Sequence, residues 1–334
     1  MSGDRSPRRR RSLNRFALAT GSVTVLSLVA SGCVTVHGER EFLPTATRAE
    51  AARALKDFTT AYNKADKAYD RSLDEDRVTG PLADIDGAKL DAGHETSPDG
   101  NANHRPLKLT DAHFVIPKKA GWSRWFLADT EANKGAAGSH WLLVFTRADA
   151  EDVWQVSYLT VLGSGDVPKF TEDADGWAEP VAADDPGLAV TPRKLGSSYA
   201  DYLRSGGDTF APGTHTSQWR ALRKKNATRP GLARQYVDEP LNSGDHAPVG
   251  LRTTDGGALV FFATRHYEKQ TAARGVDLNV TDKNIQALLK GDPKQYLTLE
   301  FVSNQAVLDP AGTSSDREVE FLSRVQGLTG AKGG

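Results

Sequence analysis

Two stretches of this chain share one layout. WFLADTEANKGAAGSHWLLVFTR (125–147) and VGLRTTDGGALVFFATR (249–265) each run from a strand through a Gly-rich turn into a strand ending Thr-Arg. Both are rich in β-branched and aromatic residues and are bounded by turn residues, the composition of strands. Glycine tolerates the positive φ that hairpin turns need. The segments that follow also correspond: VWQVSYLTVLGSGDVP (153–168) and KQYLTLEFVSNQAVLDP (294–310) are each a strand with an Asp-containing exit. Helical segments precede both sets. The expected fold class is therefore α+β: two diverged repeats, each with one or more N-terminal helices followed by a curved antiparallel sheet.

The leading helix of the first repeat is the clearest. Thr47 and Glu50 have capping-box spacing. Leu55, Phe58, Tyr62, Ala65 and Tyr69 then recur at steps of three and four, which predicts a helix over about 48–72. The polar stretch 74–112, with Pro81, Pro98 and Pro106, reads as loop. Strands are expected at 113–116, 125–128, 140–147 and 153–162; the last is apolar on both faces, as under cover on both sides. In the second half, residues 199–203, 218–225 and 232–237 read as helical pieces and 249–270 as a hairpin. A short helix is expected at 282–289, with strands at 295–303, 306–310 and 318–325. These readings divide the chain into a leader (1–32), a tether (33–45), a first α+β domain (46–165), a Gly/Pro/Asp-rich linker (166–196) and a second α+β domain (197–330).

The leader has its own logic. Six arginines precede an apolar run over 16–30, which ends in Ser31, Gly32 and Cys33. A basic start, an apolar segment and a small-residue exit form an export signal. The run is shorter than the roughly 20 apolar residues a spanning helix needs. SLVASGC (27–33) resembles the lipobox of bacterial lipoproteins, with Ala30 standing where leucine is usual. That resemblance implies recognition by the signal peptidase at Ala30, Ser31 and Gly32, and lipidation of Cys33, which becomes the new N-terminus. Each buried CH₂ of an acyl chain contributes about 0.8 kcal/mol, so a diacyl group is a stable anchor. An ordinary cleaved signal is the alternative. Arg10-Arg11-Ser12-Leu13 resembles a twin-arginine export signal, and the general secretory route stays open beside it.

Helices leading into a bent antiparallel sheet resemble the order of the nuclear-transport-factor-two-like cone fold. The whole chain resembles lipoproteins of Streptomyces and relatives whose domain has no assigned function. Cone folds host enzymes and binding modules alike, so that fold would not decide function.

Charge and motifs exclude more than they assign. The leader holds six of the 42 Lys+Arg and one of the 43 Asp+Glu, leaving 36 against 42 and a net charge of −6. That balance argues against nucleic acid as a partner and against a broad footprint on anionic lipid. With the single cysteine lipidated, no intrachain disulfide can form and the core must hold the fold. His94, His104 and His113, with Asp91 and Glu95 nearby, match no metal-ligand spacing, so no metal is expected. No phosphate-binding loop, dinucleotide fingerprint or nucleophile elbow occurs, so no cofactor is expected. Two strand histidines, His140 beside Asp129 and His266 beside Glu268, are the candidates for acid–base chemistry. The reading that results is an extracytoplasmic lipoprotein held by a lipid anchor in the cell membrane. It would be a non-catalytic protein that binds an envelope protein. The alternative is a pocket inside a cone-shaped domain, either for a small apolar ligand or for acid–base catalysis.

Overall fold

The computed structural model describes residues 41–334. Ala30, Ser31, Gly32 and Cys33 lie outside the described residues. Strand β1 (Leu43–Pro44) leads into α1 (Arg48–Ala68). The capping box forms: the Thr47 hydroxyl accepts from the Glu50 amide at 3.1 Å, and the Glu50 carboxylate accepts from the Thr47 amide at 2.7 Å. Tyr69, in the left-handed region at φ 51°, ends the helix.

Helix α2 (Gly80–Thr96) follows, where the sequence reads as loop. Pro81 stands in its first turn, where its missing N–H costs nothing. Its pattern is hidden because it is buried on several sides: Leu82, Asp86, Gly87, Ala88, Leu90, Ala92 and Gly93 are all covered, which leaves no single apolar stripe. Gly93 lets the Tyr69 ring lie so close that a Cβ there would sit 2.3 Å from it.

Strands β2 (Leu109–Val115), β3 (Lys118–Lys119), β4 (Arg124–Ala132), β5 (Ser139–Arg147) and β6 (Gln155–Gly163) come next. β3 pairs with β1, and the others form an antiparallel sheet in the order β2-β4-β5-β6. The stretch read as a linker contributes β7 (Pro180–Val181) and the start of α3 (Pro192–Ser205). After α4 (Ser217–Asn226) come β8 (Thr228–Arg229), β9 (Leu232–Leu241), β10 (Val249–Arg252) and β11 (Ala258–Ala272). Helix α5 (Lys283–Leu288), β12 (Leu289–Lys290), β13 (Tyr296–Asp309) and β14 (Glu320–Gly333) complete the chain.

The second sheet has eight strands, ordered β12-β14-β13-β11-β10-β7, with β9 on the far half of β11 and β8 on β9. Residues 232–237, read as helix, are strand: their exposure alternates residue by residue along β9, and Pro240 is tolerated because β9 is covered only by the two residues of β8 on its outer side. The two strands expected at 295–303 and 306–310 are one, with an irregularity at Ala306/Val307.

The layers follow from the period of two along each strand. Phe126, Ala128, Leu143 and Phe145 face α1 and pack around Phe58. Their neighbours Trp125, Leu127, Leu142 and Val144 face the other way and meet Leu259, Phe261 and Ala263 of β11. The remaining face of β11, Val260 and Phe262, packs on Leu195, Tyr199 and Leu203 of α3. The order is helix, four-stranded sheet, eight-stranded sheet, helix, so both sheets are apolar on both faces. Helix α2 packs against β6, β13, β14 and α5, spanning the seam between the sheets.

Candidate functional site

The two histidines singled out by sequence have different surroundings. His140, on β5, holds its Nδ1 2.6 Å from Asp129 Oδ1 on β4. The pair is part-buried at a sheet surface and lines none of the grooves described below. His266, on β11, is 2% exposed. Its ring stacks on Phe301 with centroids 4.8 Å apart and meets Trp219 edge-on at 6.4 Å. Burial pushes its pKa down to about 2, and the cations Arg324 and Arg223 add to the effect. Burial thus favours the neutral imidazole and keeps it away from solvent. Glu268 does not pair with it, because Arg234 takes that carboxylate at 3.2 Å and Gln270 donates to it.

Behind His266 lies a cationic knot. Arg223 donates two hydrogen bonds to Asp238, at 2.7 and 2.8 Å, while its guanidinium and that of Arg324 lie 5.0 and 4.8 Å from the Trp219 ring. This is an interior tie between α4, β9, β11 and β14.

A second buried cluster sits under α2. Asp74 and Asp86 are 1% and 4% exposed. Burial and the facing Asp86 carboxyl push Asp74 up to about 8, and burial likewise raises Asp86. Lys89 lies 3.7 Å from Asp86 and 2.7 Å from Asp66. His104 holds Asp66 from the other side at 2.8 Å. Burial alone would raise Asp66, but its bonds to Lys89 and His104 outweigh that and keep it low. Tyr62, over which Lys89 and Lys134 lie, is pushed up to about 12 by burial. His104 is thus a structural partner of Asp66. His94 lies elsewhere on α2 and His113 on β2, and among the described residues no group of three or more His, Cys, Asp or Glu is arranged to hold a metal.

A candidate site for a ligand is a groove along α2. Three adjoining concavities, of about 300, 520 and 420 Å³, all share Asp91 and Leu288 in their walls. Helices α2 and α5 form one side and β13 and β14 the other. Two ion pairs at 3.0 Å mark its course, Arg71–Asp91 and Arg265–Glu300. Its two ends differ in sign. Near the end of α2 stand Tyr69, Asp70 and Glu95, with His94. At the other end stand Tyr267, Lys290 and Lys332, the last two set side by side by the β12–β14 pairing. The groove is open, and its walls mix apolar residues such as Ala287, Leu288 and Ala331 with these charged ones, unlike the enclosed apolar pocket weighed from the sequence.

Residues 42–333 match the profile of a domain of unknown function, DUF8094. The chain belongs to the DUF8094 family. An "uncharacterized lipoprotein" of Streptomyces avermitilis is 69% identical over the whole of both chains. One from Streptomyces coelicolor is 61% identical over the same span. A second Streptomyces coelicolor lipoprotein is 28% identical over 89% of this chain and 90% of its own. No solved structure matches. The expected likeness to Streptomyces lipoproteins without an assigned function is thus met over the full length. Among the described residues, no helix of this DUF8094 protein is long and apolar enough to cross a membrane.

Sequence reasoning missed the groove of the DUF8094 fold because its walls come from segments far apart. Asp91 and Leu288 meet only once α2 lies across the seam, and α2 itself has no periodic signature. The carboxyl pair Asp74–Asp86 was hidden in the same polar stretch.

Proposed function

We propose that this lipoprotein is an extracytoplasmic binding protein, held on the membrane by acylated Cys33. Its α2 groove would receive a polar, extended ligand or segment of an envelope protein that carries separated opposite charges. The observation that supports this most is the groove's polarity: Asp70 and Glu95 at one end, Lys290 and Lys332 at the other, with paired ions between. Paired walls of this kind favour orientation and specificity over raw affinity. The full-length relatives named as lipoproteins support the anchor.

A photo-reactive residue placed at Leu288, in the groove, tests the reading in living cells. The same residue at Leu222, exposed on α4, is the control. A discrete adduct from position 288 alone, lost when Lys290 and Lys332 are both changed to Glu, is the expected result. Equal adducts from both positions, or an adduct indifferent to the charge change, would contradict it.

A further inference from the structure

The described chain begins at a face with an unusual surface. Phe42 is 68% exposed, Leu43 41%, Trp122 41% and Val153 42%, four of the eight large apolar side chains that stand out from the surface among the described residues. They belong to one end of the four-stranded sheet. Leu43 pairs with Lys119, and the Lys119 ammonium donates to the Ser123 carbonyl at 2.5 Å, tying β1 and β3 to the turn that carries Trp122. Arg124 and Arg147 face each other across β4 and β5. Their guanidinium groups lie 4.6 and 5.1 Å from the Trp122 ring, and Arg147 also covers Trp154 beside Val153 at 4.7 Å. Among the described residues, no carboxylate forms an ion pair with Lys119, Arg124 or Arg147; the Glu50 carboxylate on α1 is near enough to Arg147 for that charge to help lower its pKa, without a direct contact. Isolated exposed apolar residues are ordinary. An indole flanked by two arginines without a direct ion pair, at the same end as an exposed phenylalanine and leucine, is a different kind of surface.

Covalent geometry limits how far this end can stand from the anchor. Phe42 follows Cys33 by nine positions, and an extended chain advances at most about 3.6 Å per residue, so Phe42 stays within about 32 Å of the anchored sulfur. We propose that this end of the protein rests on the membrane, with Trp122, Phe42 and Leu43 in the headgroup layer of an anionic bilayer and Arg124 and Arg147 on its phosphates. The proposal rests on the anchoring of Cys33. Tryptophan prefers the headgroup level, where its ring is apolar and its N–H is wet. Guanidinium binds phosphate bidentately and is weakly hydrated, which suits that depth. Asp149, Glu151 and Asp152 in the next turn set a limit, since carboxylates stay in water; the contact is shallow. The protein as a whole is acidic, so the attraction is confined to this tip.

The lipidated protein, extracted from its host, is reconstituted in vesicles of phosphatidylcholine and phosphatidylglycerol, part of whose phosphatidylcholine carries a nitroxide on its headgroup. The nitroxide quenches tryptophan only at short range, so it reports on an indole at headgroup level. Trp122→Phe is the paired variant, and its exposed position keeps the fold intact. Quenching of the wild type several-fold greater than that of Trp122→Phe, with both proteins floating with the vesicles, is the expected result. Flotation with equal quenching would overturn the proposal and leave the anchor standing. A protein without acyl mass that fails to float would bring down the anchor, and this proposal with it.

Discussion

Asp74 and Asp86 turn their carboxyl groups toward each other beneath α2, both almost wholly buried. Two carboxylates in such a space cannot both ionise, so the pair keeps a proton far above the usual acid range. Asp74 titrates at about 8 in the fold against 3.8 in an open chain. The fold therefore binds a proton the unfolded chain has released. That contribution is full below the unfolded pKa and is lost as pH rises through about 8. Asp74→Asn should gain on the order of 2 kcal/mol over the wild type at alkaline pH and almost nothing in acid. Thermal melts across pH check this; a constant offset between the two proteins would contradict it.

His266 has the opposite sign. Its folded pKa of about 2 lies below the unfolded 6.5. Its neutral form supports the fold above the unfolded value, and stability falls as pH drops toward the folded one. His266→Phe, which keeps an aromatic ring against Phe301, should flatten the acid limb of the stability curve and leave the alkaline limb unchanged. Melting temperature against pH for the variant reads both limbs at once.

Arg223 and Asp238 form a buried ion pair with side chains 7% and 10% exposed. Removing one partner strands the other charge. Asp238→Ala should cost about 3–5 kcal/mol in urea unfolding, since Arg324 already adds positive charge nearby. Asp238→Asn, which keeps an acceptor, should cost less.

Gly80 joins the two halves. It sits at φ +54°, and a Cβ there would lie 2.2 Å from the Asp245 carbonyl oxygen. Backbone cannot yield as a side-chain tip does. Across the same contact, Thr79 donates to Asp245 at 2.9 Å and His246 lies 2.9 Å from Asp84. Gly80→Ala should destabilise by about 2 kcal/mol or more, whereas Gly138→Ala, with open space around it but also at positive φ, should cost about 1 kcal/mol. Chemical denaturation of both variants separates the clash from the backbone strain.

What could be read from the residues divides along physical lines. The stripe from Leu55 to Phe58, Tyr62 and Ala65 marks a helix with one covered face, the β-branched and aromatic run in 140–147 marks a strand buried on both faces, and both elements formed where expected. The hairpin at Asp255-Gly256-Gly257 formed because its turn chemistry is local. Helix α2 stayed hidden because burial on several sides erases period. Strand β9 was misread because Leu232, Tyr236 and Val237 mimic helical steps when the pairing with β11 is not yet known. The packing of the two sheets through Leu127, Leu142 and Phe261 is a relation between distant segments. So is the α2 groove, and neither leaves a mark on any one stretch. The Asp129–His140 contact was foreseeable because the two residues are diagonal neighbours across one hairpin.

The central claim is that Cys33 anchors this protein, and the intact mass of the native protein from its own host tests it most directly, read beside membrane partitioning and a Cys33→Ala variant. The account predicts a chain that starts at Cys33 with added acyl mass and sits in the membrane fraction, while the variant is released. A soluble wild-type protein with an unmodified cysteine would contradict it.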